Sequence, residues 1–303
     1  MGALVALALV GCGAGARAAP GVVTDGASSA GGEAPRELAA LPPHGPGGLL
    51  WDVREARART LEELAAWLDG VEVVYVGEHH DRAADHEVER AVIEALASRP
   101  GALWIGMEMF QRPFQPALDA YVEGEIDEPT LLARTEWAER WGMDFAAYRP
   151  ILEFARAHRL RVVALNARRE VSRAIARDGL AGLDPALRAE LPELDLTDAA
   201  HRARVEAALA GHGAMDPARL EHFYEAQVVW DETMADTVAA ALSGPDAPAR
   251  LVVLAGRMHV EAGNGIPRRA ARRGAAPFRI ILPSAPDERA EDQTAADVVA
   301  PVE

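Results

Sequence analysis

The chain has 303 residues, half of them hydrophobic and 26% charged; this fits one globular domain, or one plus a smaller companion, and excludes wholesale disorder and a multispanning membrane protein. A net charge of -16 repels phosphate backbones and excludes broad nucleic-acid binding. The sequence holds no lysine and a single cysteine, Cys12. A P-loop, an internal disulfide framework and a zinc site of several thiolates are therefore excluded, and any anion clamp must use arginine, histidine or backbone amides.

Residues 3–10 read ALVALALV, an apolar stretch too short to span a bilayer. Gly11 and Cys12 follow, and then a Gly-, Ala-, Ser- and Pro-rich segment that is poor material for a packed core. Leu9-Val10-Gly11-Cys12 resembles a bacterial lipoprotein signal, although the basic start expected of one is absent from Met1-Gly2-Ala3. On that resemblance residues 1–11 are a signal peptide, Cys12 is acylated, and 12–47 form a flexible tether. The protein is then a lipoprotein anchored to the bilayer of the bacterial cell envelope, at the outer membrane or facing the periplasm.

The folded body is expected over 48–285, starting where apolar patterning begins at Leu49-Leu50-Trp51. Thr60 and Glu63 form a capping-box pair that predicts a helix to about Asp69. Val71 to Val76 is a continuous apolar run, the pattern of a parallel strand covered on both faces. Similar runs occur at Ala102 to Met107, Val162 to Leu165, Leu251 to Ala255 and Phe278 to Leu282. Helical periodicities, such as Ala84 to Ala97 and Tyr148 to Ala157, separate them. The fold predicted is α/β, a mainly parallel sheet flanked by helices. The stretch between the third and fourth runs is too long for one crossover and predicts a smaller all-helical subdomain over about 168–240. Residues 286–303 are expected to be a disordered tail.

Strand after strand ends in polar residues. Val76 is followed by Gly77-Glu78-His79-His80-Asp81, with His86 in the next helix; Met107 is followed by Glu108, Leu165 by Asn166, and Ala255 by Gly256-Arg257-Met258-His259. Open parallel sheets bind ligands beyond the carboxyl ends of their strands. Glu78, His80, His86, Glu108 and His259 are therefore candidate ligands for a divalent metal ion, and Glu78, His80, Glu108 and His259 candidate catalytic groups. His79 and His80 point opposite ways in extended chain, so one of the two at most enters the site. Further on, Gly263-Asn264-Gly265-Ile266-Pro267 opens a helix bearing Arg268, Arg269, Arg272 and Arg273, where Arg268 and the free amides could meet an anion.

These blocks resemble the ChaN-like haem-binding lipoproteins, related in fold to the Tiki, TraB and erythromycin-esterase-like proteins. The likeness runs through Val76 to Asp81 with His86, Gly106 to Gln115, Glu136-Trp137, Arg140-Trp141-Gly142, Tyr148-Arg149-Pro150-Ile151 and Ala164-Leu165-Asn166. It continues through Ala226-Gln227, Trp230 to Ala235, Ala255-Gly256, His259 and Gly265-Ile266-Pro267. It implies haem or iron uptake at the envelope, haem held by a tyrosine, a homodimer around the cofactor and an outer-membrane haem receptor as partner. Tyr148 is the first choice for that tyrosine and Tyr224 the next, with Arg257 and His259 placed to meet the haem. The wider superfamily implies an alternative, a metal-dependent hydrolase built on the strand-end Glu and His residues.

Overall fold

The apolar runs become strands of one sheet in a computed structural model that describes residues 36–39, 48–210 and 215–303. The Cys12 signal and most of the tether lie outside the described residues. The strands are β1 (Leu50–Asp52), β2 (Arg57–Arg59), β3 (Val73–Glu78), β4 (Leu103–Gln111), β5 (Val162–Asn166), β6 (Arg250–Gly256), β7 (Phe278–Ser284) and β8 (Val298–Pro301). Their order is β2-β1-β8-β7-β3-β6-β4-β5. Every pairing from β8 to β5 is parallel, and the β1–β2 hairpin closes one edge antiparallel.

Successive strand residues face opposite sides, and each side has its own core. Val74 and Val76 pack with Val88, Val92 and Leu96 of the Ala83–Ala97 helix. Val73 and Tyr75 face the other way, against Ile266 and Ala270 and against Met234, Ala235 and Val238 of the long Pro217–Ser243 helix. The first half of that helix joins Arg169–Asp178 and Ala199–Ala210 in an all-helical lobe around Val171, Ile175 and Val229 and around Val205, Leu209 and Tyr224. Among the described residues no helix is long and apolar enough to cross a membrane.

β3 and β6 are neighbours, with Glu78 in register with Gly256. The chain leaves β3 for β4 over one face and β6 for β7 over the other. The carboxyl ends of β3 and β6 are thus the point where the winding reverses, the place where open parallel sheets bind their ligands.

Two expectations need correction. Residues 286–303 do not form a disordered tail: they carry a helical turn, Arg289–Asp292, and strand β8, whose Val298, Val299 and Ala300 are buried. Short and preceded by acidic residues, this run lacks a strand's usual length, yet it supplies the parallel partner of β7. The tether also gives one residue to the fold, since Leu38 is buried against Trp51 and Val299. The β1–β2 hairpin escaped patterning because its charges satisfy one another: Arg59 donates to Asp52 at 2.6 Å in the interior.

Candidate functional site

Glu78 ends β3 with its carboxylate fully enclosed. Its Oε1 accepts from His80 Nδ1 at 2.6 Å and from the Tyr148 hydroxyl at 2.9 Å. Its Oε2 lies 2.9 Å from His86 Nδ1. Burial would push this carboxyl up, but the hydrogen bonds and charges of His80 and His86 outweigh it and hold it down to about 2. Burial would lower His86 in turn, and Glu78 and Glu89 instead raise it to about 11. His80 is raised too, its bond to Glu78 and the charge of Glu108 overcoming burial. Glu89, one turn beyond His86, moves the other way: burial, then the charge of Glu78, drives its carboxyl well above the carboxylate range.

A second pair stands on β4 and β6. Glu108 accepts from the Gly256 amide at 2.7 Å and lies 3.3 Å from His259 Nε2. The other nitrogen of His259 donates to Asp231 Oδ1 at 2.6 Å, with the Gln227 amide 3.0 Å away. Asp231 Oδ2 lies 2.8 Å from His201 Nε2, and Arg269 donates to His201 Nδ1 at 3.3 Å. Burial lowers His259, but Glu108 and Asp231 on its two sides raise it to about 10. Glu108 and Asp231 are both held below the usual range, their burial outweighed first by the charge of His259.

The two pairs meet at Gly256 through His80 and Glu108. A Cβ on that glycine would lie 2.9 Å from His80 Cε1, 3.0 Å from its Nε2 and 3.6 Å from Glu108 Oε2. The sheet therefore brings together Glu78, His80, Glu108 and His259 from three strands. Each imidazole, braced through Nδ1 by a carboxylate, is arranged to give or take a proton at Nε2. His79 turns away, bonded to Asp85 at 3.0 Å.

The candidate cofactor residues are placed differently. Tyr148 is buried beside His86, Trp137 and Trp141, and its hydroxyl is spent on Glu78. Burial and the charges of Glu78 and Glu89 push this phenol far up. Tyr224 is buried beneath the Arg202 guanidinium, 3.9 Å from the ring centroid. Tyr75 and Tyr121 are buried as well. Arg257 is taken up by acids: it bonds Glu261 at 3.1 Å and also Asp292, lashing the end of β6 to the C-terminal segment. Arg268 lies 3.5 Å from Asp198. An open space of about 610 Å³, lined by Leu132, Glu136, Trp137 and Glu139, shares Trp137 with the cluster around Tyr148.

Glu89, Asp231, Gln227 and His201 are site residues that strand-end reasoning missed. Glu89 carried a readable signal, since His86 and Glu89 share one helix face at i, i+3. Asp231 and Gln227 lie one turn apart on the long helix and reach His259 only through the tertiary fold.

A family model described as "Haem-binding uptake, Tiki superfamily, ChaN" matches residues 64–270. Among solved structures, ChaN of Campylobacter jejuni, described by cofacial heme binding, is similar with a TM-score of 0.67 at 18% identity, over 83% of this chain and 95% of that one. A variant of the erythromycin esterase EreC in its open conformation gives 0.47 at 16% identity, over 84% and 76%. RRSP, a toxin effector domain from Vibrio vulnificus, gives 0.44 at 18%, over 77% and 37%. The first likeness shows the fold, and no curated protein sequence matches the chain.

Proposed function

Because the chain belongs to the haem-binding uptake family of ChaN in the Tiki superfamily, we propose that it binds haem at the bacterial envelope and serves haem and iron uptake. The family match over 64–270 carries this reading, since it takes in the parallel core of the sheet and most of the helical lobe together. Acylated Cys12 tethers the body to the bilayer as a lipoprotein. Campylobacter ChaN is described by cofacial heme binding, and the proposal extends to a homodimer around the cofactor here, with an outer-membrane haem receptor as partner.

The tyrosines do not fit an open axial position as they stand: all four are buried, and Tyr148 is bonded to Glu78. Arg257, paired with acids, does not fit as a propionate partner. The space of about 610 Å³ beside Trp137 is a candidate place for a porphyrin. The test is a haem titration, followed by absorbance, of the chain from residue 13 onward. A saturable Soret band is expected, and a flat titration overturns the reading. Tyr148→Phe and Tyr224→Phe, titrated in parallel, establish whether either phenol ligates.

One observation favours a second reading, a metal-dependent hydrolase: the meeting of the Glu78–His80 and Glu108–His259 pairs at Gly256. Its test is ester or amide hydrolysis by purified protein before and after chelation, with His80→Gln and His259→Gln as controls. Activity that survives both substitutions overturns it.

A further inference from the structure

Behind the two strand-end pairs, Glu78 turns its second carboxylate oxygen to two side chains that neither pair uses, His86 and Glu89. His86 Nδ1 stands 2.9 Å from Glu78 Oε2 and 3.2 Å from Glu89 Oε2, and ligand atoms of the three side chains all fall within 4.8 Å of one another. Ligands about 2.0–2.2 Å from a tetrahedral ion of the zinc type stand roughly 3.3–3.5 Å apart. Small side-chain rotations would therefore close these three donors around one ion.

Glu89 is the informative member. It is fully buried on the sheet side of the Ala83–Ala97 helix, and its Oε1 has no hydrogen-bond partner. A carboxyl oxygen left without a partner in a dry interior is unfavourable unless a ligand meets it. Around it, Tyr148 and His80 both bond Glu78 Oε1, which leaves Glu78 Oε2 facing His86 and Glu89. Outer hydrogen bonds of this kind fix the orientation of metal-binding carboxylates. A cavity of about 140 Å³, lined by His86, Arg90, Ala146 and Pro150 among others, lies beside His86.

We propose that Glu78, His86 and Glu89 form a binding site for one first-row divalent cation of the zinc type. Two carboxylates balance the charge of one such ion, so the loaded site carries no net charge in its buried setting. One nitrogen, two oxygens and no thiolate suit Zn²⁺, Mn²⁺ or Fe²⁺ and disfavour Cu⁺. The site rests on neither functional reading above; it shares Glu78 with the hydrolase reading, and His86 and Glu89 set it apart from one completed by His80, Glu108 and His259.

The test is equilibrium dialysis of the full chain against Zn²⁺, with bound metal measured by mass spectrometry. One zinc per chain is expected for the parent protein, less than a tenth of that for Glu89→Gln, and an unchanged content for His259→Gln. The amide of Glu89→Gln keeps the size and donor of a protonated carboxyl, and circular dichroism checks its fold. Co²⁺ titration of the parent supplies a readout independent of any variant: a visible absorption band that saturates at one ion per chain and is displaced by Zn²⁺. A parent without stoichiometric zinc, a Glu89→Gln variant that keeps its zinc, or loss of zinc in folded His259→Gln overturns the proposal. Haem binding is read by the Soret band on separate samples, so each idea can fail without the other.

Discussion

His80 rests against Gly256: the imidazole occupies the space that a Cβ at residue 256 would fill, 2.9 Å from its Cε1. Gly256 has φ -51° and ψ 137°, a conformation open to any residue, so glycine is needed there for room and not for backbone freedom. Gly256→Ala should cost about 1–3 kcal/mol, the usual range for overpacking. In a His80→Ala background the cost should largely disappear. Urea denaturation of the four proteins measures the coupling, and an equal cost in both backgrounds would show that His80 does not need the gap.

Asp231→Asn should release His259. Asp231 is one of the two charges that lift this imidazole to about 10 against burial, so removing it lowers the titration, which NMR of the His259 ring would follow. A raised histidine stabilises the fold fully below its unfolded value near 6.5 and loses that contribution as pH rises through about 10. The parent should therefore weaken over that alkaline window and the variant show a shallower decline. Breaking a buried pair costs roughly 3–5 kcal/mol, so the variant should also melt well below the parent. An unmoved His259 titration would exclude Asp231 as its support.

Glu288 should make the C-terminal segment acid-labile. Burial raises its carboxyl, but the Arg82 fork at 2.9 and 2.6 Å, the Ala285 amide and His79 outweigh burial and hold it to about 2. Arg257, 3.8 Å away, adds a second cation. A depressed carboxylate stabilises above its unfolded value, near 4.3, and that contribution is lost as pH falls towards 2. Glu288→Gln should accordingly be less stable than the parent at pH 7, with the gap narrowing steadily below about pH 4.5. Urea midpoints at pH 7, 5 and 3.5 measure it. A gap that is constant across those three values contradicts the assignment.

Truncation after Ala285 should be severely destabilising. It removes β8, exposes one edge of β7 and strips β1 of its inner neighbour. Val298 and Val299 are buried, and each such side chain contributes about 1.5–3 kcal/mol on burial. Thermal melting should fall by roughly 10 °C or more, or the protein should aggregate through the exposed edge. A truncated chain that melts with the parent would mean the segment is dispensable.

If Cys12 is acylated as proposed, Cys12→Ala should move the protein from the membrane fraction to the soluble fraction. Immunoblotting after ultracentrifugation reads the result. A variant that still sediments with membranes would reject acylation at Cys12.

The central sheet was legible in the sequence because its strands are continuous apolar runs, the mark of parallel strands buried on both faces. The strand-end groups were legible for the same reason: Glu78, Glu108 and His259 stand out against the apolar residues before them. What stayed hidden depends on pairing across long separations. The charges of β1 and β2 look like loop until Arg59 meets Asp52. Asp231 looks like an exposed helical residue until His259 and His201 close on it. Arg257, attractive as a cofactor clamp beside the glycine of β6, is taken up by Glu261 and Asp292, which no local pattern announces.

The Pro217–Ser243 helix spans both lobes without interruption, 27 residues and therefore roughly 40 Å long. Tyr224 and Val228 lie in the helical lobe, Met234 and Val238 on the sheet, and Asp231 between them holds His259. One continuous helix thus carries both the packing of the helical lobe and the carboxylate that holds His259, so a substitution that shifts the helix in one lobe is felt at the strand-end site of the other.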